Sequence, residues 1–355
     1  MKNLLLSIGV LIFLGVIGLL FFYSERTFQI ASTSAVFNEL SFGDKKTRAS
    51  TNGIFTGTPC QNASKRLFAV MLAGDPEARP LSGLSGADMV IEIPVSVDSI
   101  TRYIAFYQCQ MASEIGSVRS ARSFFIGLAK GYDAILAHWG GEKDALHDLH
   151  SGVIDNLDAL PNPSQAFWRK NGVPMPHDGF TSYENLLKAS KKLNYHLDLR
   201  ANDFFTFKEN AETPSSSDSI ITINYPGKFQ TSYHYDPDEN IYLRFKGGTK
   251  EIDALTGDQI KVKNVVVVKT SIYPTYSQYN EVELDGKEGE LEAFIGGRVY
   301  KGKWTKEGFE KPLLFFDTNG KPLIFEPGTI WVQIAGKDQA VESIPLRDIT
   351  KEHQQ

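Results

Sequence analysis

The stretch Gly116-Ser117-Val118-Arg119-Ser120-Ala121-Arg122 decides how this chain reads, because of what lies on either side of it. The run at 100–108 before it has strand composition. Val118, Ala121, Phe124, Phe125 and Leu128 then recur at helical spacing. That spacing predicts an amphipathic helix to Lys130, with Ser117 as its N-cap. A short apolar run at 134–138 follows and reads as a buried strand leading into Trp139-Gly140-Gly141. If the two strands are parallel, the crossover brings the loops after both to one sheet edge. Open α/β sheets bind their ligands at that edge.

The same edge would collect the chemistry-bearing residues. A helix N-terminus carries unpaired N–H groups and a partial positive charge, so it attracts anions. Arg119 and Arg122, three apart, would share a helix face, with Arg102 joining them from the preceding strand. Guanidinium forks grip phosphate or carboxylate through paired hydrogen bonds. The candidate ligand-binding residues are therefore Arg102, Ser117, Arg119, Arg122, Gly140, Gly141 and His177, the last from a loop rich in Pro and Asn. His138 is the candidate general acid–base. Glu92, a lone charge within Val90-Ile91-Glu92-Ile93-Pro94, is the candidate catalytic carboxylate beside it. The competing reading is internal: Glu92 and Glu114 neutralise the arginines, and the group is the core's own ion network. His147 and His150 are spaced for one helix face but lack a third ligand, so neither a metal site nor a cofactor is predicted. The sequence has no nucleophile elbow, phosphate-binding Walker loop, zincin motif or dinucleotide fingerprint.

The remaining sequence bounds location and build. Lys2 precedes an uncharged, mostly apolar run at 4–23, long enough to span a bilayer and lacking a small-residue cleavage site. This predicts an uncleaved single-pass membrane anchor at 1–23 with the bulk of the chain outside the cytoplasm. The formal net charge of -5 over 355 residues argues against a nucleic-acid partner. Cys60 and Cys109 are compatible with one bridge in an oxidising compartment and equally with two unpaired small residues. A polar stalk is predicted at 24–63, and a second break falls in Ala211-Glu212-Thr213-Pro214-Ser215-Ser216-Ser217. Between the breaks, 64–208 alternates strands with helices. Beyond them, 219–346 carries short strands separated by turns such as Asn319-Gly320 and Pro327-Gly328. The fold class is α+β: an N-terminal mixed α/β domain, then a mostly β C-terminal domain, after the membrane anchor.

Several segments resemble one family. They are Ala78-Arg79-Pro80-Leu81-Ser82-Gly83-Leu84, Ala87-Asp88-Met89-Val90-Ile91-Glu92, Ile100-Thr101-Arg102, the 116–122 stretch and His138-Trp139-Gly140-Gly141. In the C-terminal half, Thr256-Gly257, Gly302-Lys303-Trp304 and Pro327-Gly328-Thr329-Ile330-Trp331 extend the likeness. Together they resemble the YerB-like family of bacterial extracytoplasmic lipoproteins. This chain has Ser117 where the family usually has Pro, and an apolar anchor in place of a lipoprotein cysteine. The resemblance implies an extracytoplasmic location and a two-domain build, and it implies no reaction. The expected function is a membrane-anchored envelope protein that binds an anionic ligand: a phosphorylated glycan, a lipid headgroup or a cell-wall precursor. The alternatives are an envelope hydrolase or transferase using His138 and Glu92, and a scaffold whose C-terminal domain binds a protein partner.

Overall fold

Runs of consecutive buried residues on the central strands force those strands into the middle of a sheet covered on both faces. In the computed structural model, residues 51–200, 203–209, 219–275 and 278–345 are described. The sequence-predicted anchor at 1–23, the stalk up to residue 50 and the break at 210–218 lie outside them. Among the described residues no helix is long and apolar enough to cross a membrane.

Ten strands of the described chain form one sheet. In chain order they are β1 (Phe68–Ala73), β2 (Met89–Pro94), β3 (Thr101–Tyr107), β4 (Ile135–His138) and β5 (Asn156–Asp158), then β6 (Asn264–Thr270), β7 (Lys287–Ile295), β8 (Arg298–Lys306), β9 (Leu314–Asp317) and β10 (Ile330–Gly336). Their spatial order is β9-β8-β7-β6-β10-β2-β3-β1-β4-β5. The mixed α/β N-terminal half and the mostly β C-terminal half thus meet in a single sheet. The seam is the parallel β2–β10 pair, in which Met89 lies opposite Ile330 and Glu92 opposite Gln333.

Side chains alternate across this sheet with a period of two. Ala69, Met71, Ile91, Ile104 and Leu136 face one way, toward helices α1 (Ser123–Gly131) and α2 (Lys143–His150). Val70, Val90, Tyr103, Ala137 and Trp331 face the other way. That second face is covered by α3 (Tyr183–Lys192) and by a small antiparallel sheet containing Ser219–Ile223, Thr231–Asp236 and Ile241–Lys246.

The second face carries a buried polar knot where the halves meet. Glu92 is 0% exposed. Arg244 Nη2 donates to its Oε2 at 2.7 Å, and Lys246 Nζ donates to its Oε1. Arg244 Nε also donates to Glu251 Oε2 at 2.5 Å, and its guanidinium lies 4.1 Å from the centroid of the Trp331 ring. Burial opposes the Glu92 charge, but Lys246 and Arg244 outweigh burial and hold the carboxyl down at about 2. Burial draws the Lys246 ammonium down to about 8, with Glu92 opposing the loss.

The last part of the stretch read as stalk is folded. Ile54 and Phe55 are buried, and Phe55 packs edge-on against Phe106 and Tyr132. Its polar flanks, Thr51-Asn52-Gly53 and Thr56-Gly57-Thr58, hide two large apolar residues that act as a plug. Cys60 and Cys109 are joined by a disulfide across a separation of 49 residues, which ties this plug to the end of β3.

Two outcomes follow from these ties. Glu92→Gln leaves two buried cations short of a partner and should cost about 3–5 kcal/mol by urea denaturation. In the native protein the Glu92 carboxyl sits below its ordinary 4.5, so between pH 4.5 and about 2 the unfolded chain binds the extra proton. Stability should therefore fall by about 3 kcal/mol as pH drops through that window, and Glu92→Gln should flatten this loss. Replacing both cysteines by serine opens a 49-residue loop and should cost about 4 kcal/mol by the same assay.

Candidate functional site: an arginine cluster at the sheet edge

The 117–121 segment is extended, and α1 begins only at Ser123, with Arg122 at its N-cap position and no side-chain capping bond. Ser117 is therefore not the cap, and Arg119 and Arg122 do not share a helix face. The spacing misled because Val118 and Ala121 are both buried, as a helix would require, yet they belong to opposite faces of the sheet. The condition of parallel strands is not met: β3 runs antiparallel to β1, and β1 runs parallel to β4.

The edge is nevertheless shared. Where β1 and β4 end, the extended segment wedges between them. Ala73 N donates to Ser117 O, and Arg119 N donates to Met71 O on one side. On the other side Trp139 N donates to Arg119 O, and Ala121 N donates to Gly140 O. Because β3 is antiparallel, it starts at this edge, and Arg102 arrives beside the wedge.

The three arginines meet there. Arg102 Nη1 donates to Ser120 O at 3.0 Å, between Arg119 and Arg122 in the chain. Arg119 Nη1 donates to Pro176 O at 3.0 Å, and Arg122 Nη1 donates to Ala121 O at 2.9 Å. Each guanidinium is thus anchored to a main-chain carbonyl through one nitrogen. In all three, Nε is buried without a hydrogen-bond partner. Arg102 is 4% exposed. Burial, then Arg122 and Arg119, pull its charged form down to about 9, against a weaker opposing pull from Asp75. A guanidinium keeps its proton in proteins. The pull reflects burial first and the two neighbouring guanidinium charges second.

The internal carboxylates assigned to these arginines are elsewhere. Glu92 is committed to Arg244 and Lys246 on the opposite face. Glu114 accepts from Lys170 Nζ at 2.6 Å and from Ser82 Oγ at 2.7 Å. Glu142 Oε2 lies 3.6 Å from Arg122 Nε, and Asp75 acts on the Arg102 charge from farther off. Ser117 Oγ and His177 Nδ1 are also buried without partners. His177 follows Pro176, the carbonyl that Arg119 holds.

His138 and the glycines take scaffold positions. His138 is fully buried, with Nδ1 2.8 Å from Gly140 O and Nε2 3.1 Å from Asn156 Oδ1. Gly140 has φ +66, a left-handed conformation, and its N–H donates to Asp158 Oδ1 at 3.0 Å. Gly141 bridges Ala121. Gly140 O thus holds the wedge through Ala121 N, while its N–H is engaged by Asp158. His138 and Glu92 do not form a catalytic pair. His138 lies on the α1/α2 face and Glu92 on the other, three strand spacings apart, or about 14 Å. His150 approaches Asp158 at 4.0 Å, and among the described residues no group of three His, Cys, Asp or Glu side chains is arranged to hold a metal.

Sequence reasoning missed Tyr279. The Arg122 guanidinium lies 4.3 Å from the centroid of its ring. Tyr279 belongs to the C-terminal half and reaches the site because Ser96 bridges Tyr279 and Asn280 N donates to Val95 O. No local pattern marks it, since only tertiary pairing brings it there.

Known proteins share this architecture. The family described as protein of unknown function (DUF3048), N-terminal domain, matches residues 55–196, and its C-terminal domain matches residues 221–332. The Bacillus subtilis (strain 168) protein named "Putative lipoprotein YerB" is 32% identical over 297 residues, covering 82% of this chain and 86% of that protein. The crystal structure of YerB protein from Bacillus subtilis aligns with a TM-score of 0.73 at 30% identity, covering 82% of this chain and 100% of that one. With both halves matched and the fold shared, this chain belongs to the two-domain YerB-like family of proteins of unknown function.

Proposed function

We propose that this protein is anchored at the cell membrane, works outside the cytoplasm and binds an oxyanion at Arg102, Arg119 and Arg122. Three things support the location: the name of the Bacillus subtilis relative, the Cys60–Cys109 disulfide, which suits an oxidising compartment, and the apolar run at 4–23.

One observation carries the binding reading. Three guanidinium groups converge on one short segment, each with Nε buried and unpartnered, and with one carboxylate at 3.6 Å among the described residues. Leaving a buried donor unmade costs about 1–3 kcal/mol, more when the donor is charged. An oxyanion offers acceptors to all three at once, and charge-assisted hydrogen bonds are the strong ones. Ser117 and His177 supply further uncommitted polar atoms beside the cluster.

Calorimetric titration of the full chain with inorganic phosphate, sulfate and pyrophosphate tests this. Saturable binding is expected. Arg119→Ala, which removes the least buried of the three, should weaken it by about tenfold or more, and Arg119→Lys should restore only part. A flat titration with all three anions, or unchanged affinity in Arg119→Ala, overturns the proposal.

A further inference from the structure

The edge that gathers unpartnered donors also holds an unpartnered acceptor. Ala73, the last residue of β1, lies opposite Arg102 in register. The chain then turns through Gly74 to Asp75. A Cβ on Gly74 would come within 2.3 Å of Thr101 O, so the turn presses directly on the start of β3. Asp75 Oδ2 is buried with no hydrogen-bond partner. Asp75 precedes the short 3-10 turn Pro76–Ala78 without capping it through its side chain.

Asp75 also borders a groove of about 490 Å³. Glu77 and Asp98 add carboxylates to this groove, Lys228 is its cation, and Ile100 and Phe229 give it apolar walls. None of the three arginines lines this groove; Asp75, whose carboxylate acts on the Arg102 charge, is the residue the two share. Arg102 is more than nine-tenths buried with its Nε unpartnered, and Asp75 is the carboxylate that favours its charge.

A simple anion would satisfy the donors and leave Asp75 alone, whereas a simple cation would do the reverse. We infer that the ligand is a phospho-amine, whose phosphoryl group meets Arg102, Arg119 and Arg122 and whose ammonium, a short spacer away, meets Asp75 in the groove. A phosphoryl group is favoured over a carboxylate because three guanidinium edges call for more than two oxygens. The inference rests on the oxyanion reading above and names the chemistry of its ligand. Two sources share that chemistry, a free phosphoethanolamine-type ester and a phosphatidylethanolamine headgroup.

Calorimetry on the detergent-solubilised full chain separates the possibilities. O-phosphoethanolamine should bind about tenfold tighter than ethyl phosphate, which lacks the ammonium. Asp75→Asn should erase this preference while leaving ethyl phosphate binding equal or stronger, because it removes a negative charge near Arg102. Equal affinity for the two esters in the native protein, or a preference that survives in Asp75→Asn, overturns the inference and leaves the oxyanion reading standing. Failure of inorganic phosphate and both esters to bind overturns both. A short-chain, water-soluble phosphatidylethanolamine assigns the source: binding at least as tight as phosphoethanolamine points to the headgroup, and no binding points to the free ester.

Discussion

Everything in this fold is arranged around the ion pairing of Glu92 with Arg244 and Lys246. Glu92 sits on the strand that forms the parallel seam with β10, and its two cations come from the small sheet laid over that seam. The contact is buried, so the cost of stripping water from three charges must be met by geometry. The surrounding polar groups supply it: Glu251 takes Arg244 Nε, Thr101 and Thr231 take Lys246 Nζ, and Gln333 Nε2 donates to Tyr233 OH. Such a knot is weak evidence for net stability and strong evidence for register. A one-residue slip of β2 would carry Glu92 to the apolar face against α1 and strand both cations.

That register in turn positions the arginine cluster. The sheet brings the start of β3 to the edge where β1 and β4 end, and the 117–121 segment fills the gap between those two ends. Hydrogen bonds to both neighbours leave this segment little freedom, so the Arg119 and Arg122 backbones are fixed by the sheet. The wedge depends on the Gly140 turn and on His138 beneath it. Residues that looked catalytic in sequence are therefore the supports that hold the arginines in place.

The fold was legible where burial was two-sided and local. The runs at 89–94, 101–107, 264–270 and 330–336 are almost wholly buried, and their apolar content announces them. Arg298–Lys306 is a strand with almost no strand signal in its sequence. Its outward positions include Lys301 and Lys303, while its inward ones are Gly302, Trp304 and Lys306, so hydrophobic alternation is almost erased. The cluster was legible as residue types, since Arg102, Arg119 and Arg122 do meet, but the geometry drawn for them was not. An i, i+3 pair of buried residues fits a helix and also fits an extended segment that touches two layers. Asp75 and Tyr279 carried no sequence signal because their role comes from tertiary pairing alone.

Strand parity explains why Glu92 does not neutralise the cluster. In the β2–β3 register Glu92 lies opposite Tyr103, and Ile93 lies opposite Arg102. Glu92 and Arg102 are thus diagonal neighbours across the β2–β3 pair, yet alternation turns them to opposite faces. Moving the carboxylate by one position would place it against Arg102, neutralise the edge and leave Arg244 and Lys246 buried without a counter-charge. The alternation that fastens the small sheet to the large one is therefore the same alternation that withholds a carboxylate from the arginines. An architecture that commits this acid to the core leaves Glu142 and Asp75 as the carboxylates that act on the edge arginines.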